Sequence, residues 1–168
     1  GLRTLSRAPI ELRPLLQAVA DKFGPRAQEK QVALMTELPP ALPVITGDAD
    51  RLAQVFTNLV DNALKHTPAG GKVTLTATST PGWVEVSVSD TGPGIPAEDL
   101  SRIFERFYQV DKSRARRAGL GLGLTISKEI VEAHGGSLRA ESVVGLGSRF
   151  IAQLPLARPE DTAVAKKR

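Results

Sequence analysis

The sequence contains no cysteine, which excludes disulfide bridges and thiolate metal sites and is compatible with a cytosolic setting. Aromatic residues make up only 4% of its 168 positions, leaving few rings on which nucleic-acid bases could stack. The net charge is +4, but much of the excess sits in "DKSRARR" and the terminal "AKKR", so no nucleic-acid partner is expected. No run approaches the roughly eighteen apolar residues of a membrane span. The amino end, "GLRTLSRAPIELRPLL", lacks the continuous apolar segment of a signal peptide. It begins with Gly rather than Met, as a piece of a longer protein would. A hydrophobic fraction of 41% suits one domain with a real core.

Periodicity then gives the elements. Leu12, Leu15, Leu16, Val19 and Phe23 recur at helical spacing, with Gly24 and Pro25 expected to interrupt or kink that helix. "QVALMTEL" and "LPVITGD" read as short strands. Asp48 is placed to cap a helix carrying Leu52, Val55, Phe56, Leu59, Val60, Ala63 and Leu64 on one stripe, ending near "HTPAGG". "KVTLTATS" and "WVEVSVSD" form a hairpin joined by "TPG". A short helix around "AEDLSRIFERF", a helix from about Leu122 to His134 and a strand pair, "GSLRAES" with "GSRFIAQLPL", complete the order. This mixture predicts an α/β (α+β) sandwich with a mixed, mainly antiparallel sheet packed on helices.

Three segments carry chemistry. In "NLVDNALKH", Asn58, Asn62 and Lys65 form one strip at about 100° per residue, roughly opposite the apolar stripe. The strip is either a solvated polar face or a cation and phosphate site. An amide oxygen is a hard neutral ligand suited to Mg²⁺, and Lys65 supplies a point charge for phosphates. "SDTGPGIPAEDL" puts Asp90, Gly92 and Gly94 at a strand end. Its "GPGIPA" formally fits a dinucleotide motif. The strand belongs to a hairpin, however, no βαβ unit surrounds it, and Pro96 lies inside the motif. The glycines instead allow close backbone approach, with Asp90 as acceptor for an exocyclic amine such as adenine's. Finally, Gly119, Gly121 and Gly123 lead into an amphipathic helix. That run is either a plain hinge or an anion site at free helix amides.

Taken in order, these segments resemble the catalytic and ATP-binding domain of bacterial sensor histidine kinases, of the family shared with DNA gyrase, chaperone and mismatch-repair ATPases. "NLVDNALKHTP" is similar to the N box, "DTGPGI" and "GLGLGLTI" to the first two glycine boxes, "IFERFYQVD" to the phenylalanine box and "GLGSRF" to the last glycine box. The resemblance implies a Bergerat-type fold binding ATP and Mg²⁺. It implies Asn62 as the metal ligand assisted by Asn58, and Lys65 and His66 facing phosphates and ribose. Asp90 would receive the adenine amine beside Gly92, Gly94 and Ile95, and Ser148 would support it through water. Tyr108, Gln109 and Val110 would line the nucleotide. Lys112 and Arg114 would be lid contacts, followed by the glycine run Gly119, Leu120, Gly121, Leu122, Gly123 and Leu124. Asn58, Asn62 and Lys65 carry the catalytic role in this reading, and Phe104 and Phe107 are core residues or lid supports.

The resemblance also implies an organisation. Residues 1–30 would connect from a missing dimerisation domain, 31–157 would be the ATP-binding catalytic domain, and 158–168 a flexible tail. Partners would be that dimerisation and phosphotransfer domain and, through the parent kinase, a response regulator. The fragment would be a monomer and the parent a homodimer, cytoplasmic here and tethered to the inner membrane through the parent. Two departures stand out. Leu120 occupies a position where a small or polar residue is usual, and no phosphoacceptor histidine motif is present. Of the two histidines, His66 lies in the N box and His134 is expected to be a helix-end residue. A stand-alone ATPase or serine kinase of the same fold, or a nucleotide sensor, is the alternative.

Overall fold

A computed structural model describes residues 4–106, 108 and 123–157. Its sheet has five strands in the order β2-β4-β5-β7-β6. They are β2 (Ala33–Glu37), β4 (Lys72–Thr80), β5 (Trp83–Asp90), β6 (Ser137–Val143) and β7 (Gly147–Pro155). β2 pairs with β4 in parallel and the other neighbours are antiparallel, which is the mixed, mainly antiparallel sheet expected. Helices α1 (Leu12–Lys30), α2 (Ala49–His66) and α4 (Gly123–Ala133) cover one face. Two short strands, β1 (Ala8–Ile10) and β3 (Ile45–Gly47), form a separate antiparallel pair; β3 is the strand expected in "LPVITGD", whereas β1 is not announced by the sequence pattern.

Alternation in β4 and β5 sends Val73, Leu75, Ala77, Val84, Val86 and Val88 inward, where all are buried. α2 answers with its whole apolar stripe, from Leu52 to Leu64, also buried. Asp48 caps it as expected, its Oδ1 accepting from the Arg51 N–H at 3.2 Å.

Two expectations need correction. α1 runs unbroken through Gly24 and Pro25. An interior proline costs about 3 kcal/mol, but α1 buries Leu12, Leu16, Val19, Ala20, Phe23 and Ala27 on both sides of it. Each large apolar side chain buried contributes about 1.5–3 kcal/mol, so packing prevails. Those residues share one core with α2 and the sheet. In packing terms, therefore, α1 lies on the same core as the residues that follow position 31. The helix around "AEDLSRIFERF" is only α3 (Ala97–Leu100). Beyond it the chain continues in turns, the Arg102 and Glu105 N–H groups donating to the Asp99 and Arg102 carbonyls three residues back rather than four, and the Phe104 carbonyl accepts from the Thr125 hydroxyl at 2.7 Å.

His134 explains how α4 is held on α2. Its ring is buried, and Nδ1–H donates to the Ile130 carbonyl at 2.8 Å. Nε2 accepts from the Asp48 N–H at 3.0 Å, across the start of α2. A Cβ on Gly47 would fall 2.5 Å from this ring, so that position has no room for a side chain. The arrangement requires the neutral imidazole. Burial accordingly pushes the His134 pKa below its ordinary value of 6.5, against the pull of Asp48 and with help from Arg7. The unfolded chain therefore takes up the proton first as pH falls. The stabilisation from this group is complete above about pH 6.5 and declines on acidification toward the folded-state pKa. Urea unfolding at pH 7.5 and 5.5 should show stability falling at the lower pH. His134→Gln should be less stable at pH 7.5 but lose less between the two. An equal loss in both proteins would remove His134 from the account.

Candidate functional site

Asp90 ends β5, in register with Ser148 of β7 and Val73 of β4. The strand pattern that points Val84, Val86 and Val88 into the core points Asp90 the same way, and its side chain is buried. Its Oδ1 accepts from the Gly92 N–H at 2.9 Å. Burial raises its pKa above 3.8, against the Gly92 and Ser148 N–H groups and the nearby His66, which favour the charged form. It is thus a desolvated carboxylate with few donors, suited to receiving another hydrogen bond.

The loop around it is fixed by close approach. A Cβ on Gly92 would lie 2.6 Å from the His66 carbonyl, so the end of α2 abuts the loop directly. Gly94 adopts φ +81, and a Cβ there would lie 2.5 Å from the Val143 carbonyl. Ile95 packs against the core, and its N–H donates to Ser142 Oγ at 2.7 Å. That oxygen is also 3.0 Å from Ser148 Oγ, which ties the expected Ser148 into the wall. A shallow cavity of about 240 Å³ lies here, against Asp90, Ser142, Val143, Leu146, Gly147 and Ser148.

α2 extends the site away from Asp90. His66 is exposed and its Nδ1 lies 2.7 Å from the Asn62 carbonyl. Asn62 and Asn58 are half-buried, so their strip is not a freely solvated face. The Asn58 amide donates to Ser127 Oγ of α4 at 3.4 Å, and a Cβ on Gly123 would lie 3.9 Å from it. Lys65 is exposed, with Nζ 3.1 Å from Asp61. His66 to Asn58 covers about 12 Å of helix, at about 1.5 Å per residue. Asp90, Gly92, His66, Asn62, Asn58 and Gly123 thus follow one track.

Tyr108 is half-buried against the core, donates its hydroxyl to Asp99 and has the Arg102 guanidinium 4.7 Å from its ring centre. Phe104 meets Phe150 edge-on at 6.2 Å, and Leu124 is half-buried on the core. Gln109, Val110, Lys112, Arg114, Gly119, Leu120, Gly121 and Leu122 lie outside the described residues, as do Phe107 and the tail 158–168. Among the described residues, no three His, Cys, Asp or Glu side chains gather as a metal cage, and no helix is long and apolar enough to cross a membrane.

A larger hollow of about 520 Å³ lies between α1 and β2, lined by residues such as Gln17, Gly24, Gln28 and Thr36. It holds no buried charge, and we place the site at Asp90 on chemical grounds. Sequence reasoning missed Ser142 and Ser127. Ser142 faces Ser148 across the β6–β7 pairing, so the two serines flanking "VVGLG" were a readable signal. Ser127 pairs with Asn58 across 69 positions and leaves none.

Comparison with known proteins identifies the family. The chain is 41% identical over 150 residues to the adaptive-response sensory kinase SasA of Synechococcus elongatus, covering 89% of this chain and 38% of the relative. It thus spans about two fifths of that curated relative. The structure is similar to full-length ShkA in complex with AMPPNP, with a TM-score of 0.83 and 39% identity over 94% of this chain and 32% of that one. It is similar also to the nucleotide-free catalytic domain of the histidine kinase ThkA, with a TM-score of 0.80 and 29% identity over 91% and 99% of the two chains. Residues 47–158 match the family model of histidine kinase-, DNA gyrase B-, and HSP90-like ATPases, and the chain belongs to that family.

Proposed function

We propose that this chain is the ATP·Mg²⁺-binding catalytic domain of a sensor histidine kinase, which presents the γ-phosphate of ATP to a histidine on a separate dimerisation domain. The observation that carries this reading is the continuous track from the buried carboxylate of Asp90, past His66, to Asn62 and Asn58. In it, Asp90 accepts the adenine amino group, the Gly92–Ile95 backbone and Ser148 form the wall beside the base, and the triphosphate lies along α2. Lys65 and His66 face the phosphates and ribose.

The fit to Mg²⁺ rests on donor chemistry. Asn62 and Asn58 offer neutral oxygens beside the track, and no carboxylate cage competes with them among the described residues. A magnesium ion held by one or two protein oxygens takes its other ligands from phosphates and water. When bound, the ion supplies neutralisation of phosphate charge. Phosphoryl transfer of this kind depends mainly on positioning and electrostatics, which is what Asp90, Lys65 and the asparagines provide.

Neither histidine is suited to be the acceptor. His66 belongs to the track, and both ring nitrogens of His134 are engaged within the fold. The acceptor therefore belongs to a partner dimerisation domain, in a parent that is homodimeric, signals to a response regulator and is tethered to the inner membrane, with this domain on the cytoplasmic side.

Two experiments test the reading. Asn62→Ala should weaken binding of ATP with Mg²⁺ by at least roughly tenfold, given that disturbing even the outer shell of a metal site costs about 10–100-fold. Calorimetric titration in chelator should show a much smaller loss, whereas equal losses would remove Asn62 as a ligand. With γ-labelled ATP, the chain alone should bind nucleotide yet gain almost no acid-labile phosphate. A separate dimerisation domain should become labelled, slowly, for want of the effective concentration a tether gives. Acid-labile label on this chain, lost in His134→Ala, would contradict the donor role.

A further inference from the structure

Asp61, between the two asparagines' turns of α2, serves two cations at once. Arg26 of α1 bonds its Oδ1, and Lys65 lies 3.1 Å from its Oδ2. One helical turn beyond Arg26, Lys30 donates to the Leu64 carbonyl. α1 thus places two basic side chains, four residues apart, on the C-terminal half of α2.

That end of a helix carries the negative pole of its dipole, and Asp61 adds a full negative charge. Both oppose an anion lying along the last turns of α2. A guanidinium suits a shared, partly buried carboxylate better than an ammonium does, through its fixed donors and weaker hydration. The Lys65–Asp61 contact is a half-exposed pair at spacing i,i+4, of the weak and readily exchanged kind.

We propose that Arg26 and Asp61 are positioning residues for the phosphate site. Arg26 neutralises Asp61, so that Lys65 is held along α2 without being fully compensated and can turn to an anionic ligand. Removing Arg26 leaves Asp61 to capture Lys65 and to repel the triphosphate. This rests on the reading above in which Lys65 faces phosphates, and it adds a long-range requirement from α1.

The test compares ATP with adenosine, which lacks the phosphates. In Arg26→Gln, ATP affinity should fall about five- to tenfold while adenosine affinity stays within about twofold, which also reports an intact fold. Adding Asp61→Asn to that variant should restore most of the ATP affinity, because the uncompensated carboxylate is then gone. A contact that merely joined α1 to α2 would lower adenosine affinity along with ATP affinity when it is broken. Equal loss for adenosine and ATP, or a double variant as weak as Arg26→Gln, would overturn the proposal while leaving the ATP site in place. Lys65→Met with unchanged ATP affinity would overturn both this and the phosphate reading of Lys65.

Discussion

The site depends on keeping a carboxylate buried at the end of a core strand. Asp90 continues the inward alternation of β5 where the next apolar residue would stand. A charge so placed is costly unless polar groups meet it. Two backbone N–H groups, from Gly92 and Ser148, do part of this, and burial still prevails in raising its pKa. The loop can turn back onto the carboxylate only because Gly92 has no side chain to collide with the end of α2. β7 can lie beside it only because Gly147, with φ +139, leaves no Cβ 2.0 Å from the Asp90 carbonyl. Close backbone approach on either side of Asp90 thus accounts for the glycines at 92 and 147.

α2 then works on two faces. Its apolar stripe anchors the sheet, and the face between α1 and α4 carries Asn58, Asn62 and Asp61. The neighbouring helices fix that second face. α4 is held at one end by His134 on Asp48 and nearer the site by Ser127 on Asn58, while α1 reaches Asp61 and Leu64 with Arg26 and Lys30. The polar contacts of α2 are therefore divided between structure, at its ends and on α1, and an open track toward Asp90.

Much of this was legible because it has a period or a cap. Alternation gave the β4–β5 hairpin, the stripe gave α2, and Asp48 marked its start. The carboxylate and glycines after β5, with the asparagine strip, marked the candidate site. What could not be read has physical causes. Local rules stop a helix at Gly24-Pro25, but burial on either side of it overrides them. α3 stops after one turn as the following amides bond three residues back, and the Phe104 carbonyl beyond it goes to a residue 21 positions away. The buried role of His134 and the Arg26–Asp61 link also depend on partners distant in sequence, which leave no pattern along the chain.

The central claim is that Asp90 reads the amino group of adenine, and the most direct measurement removes that group from the ligand. Calorimetry would compare ATP with purine riboside triphosphate, which lacks the 6-amine, on the unaltered chain and on Asp90→Ala. A hydrogen bond to a charged group is worth about 1.5–3 kcal/mol, so the unaltered chain should prefer ATP by about ten- to a hundredfold. Asp90→Ala should bring the two ligands to within about twofold. Equal affinities on the unaltered chain, or a preference for ATP that survives in Asp90→Ala, would contradict the account.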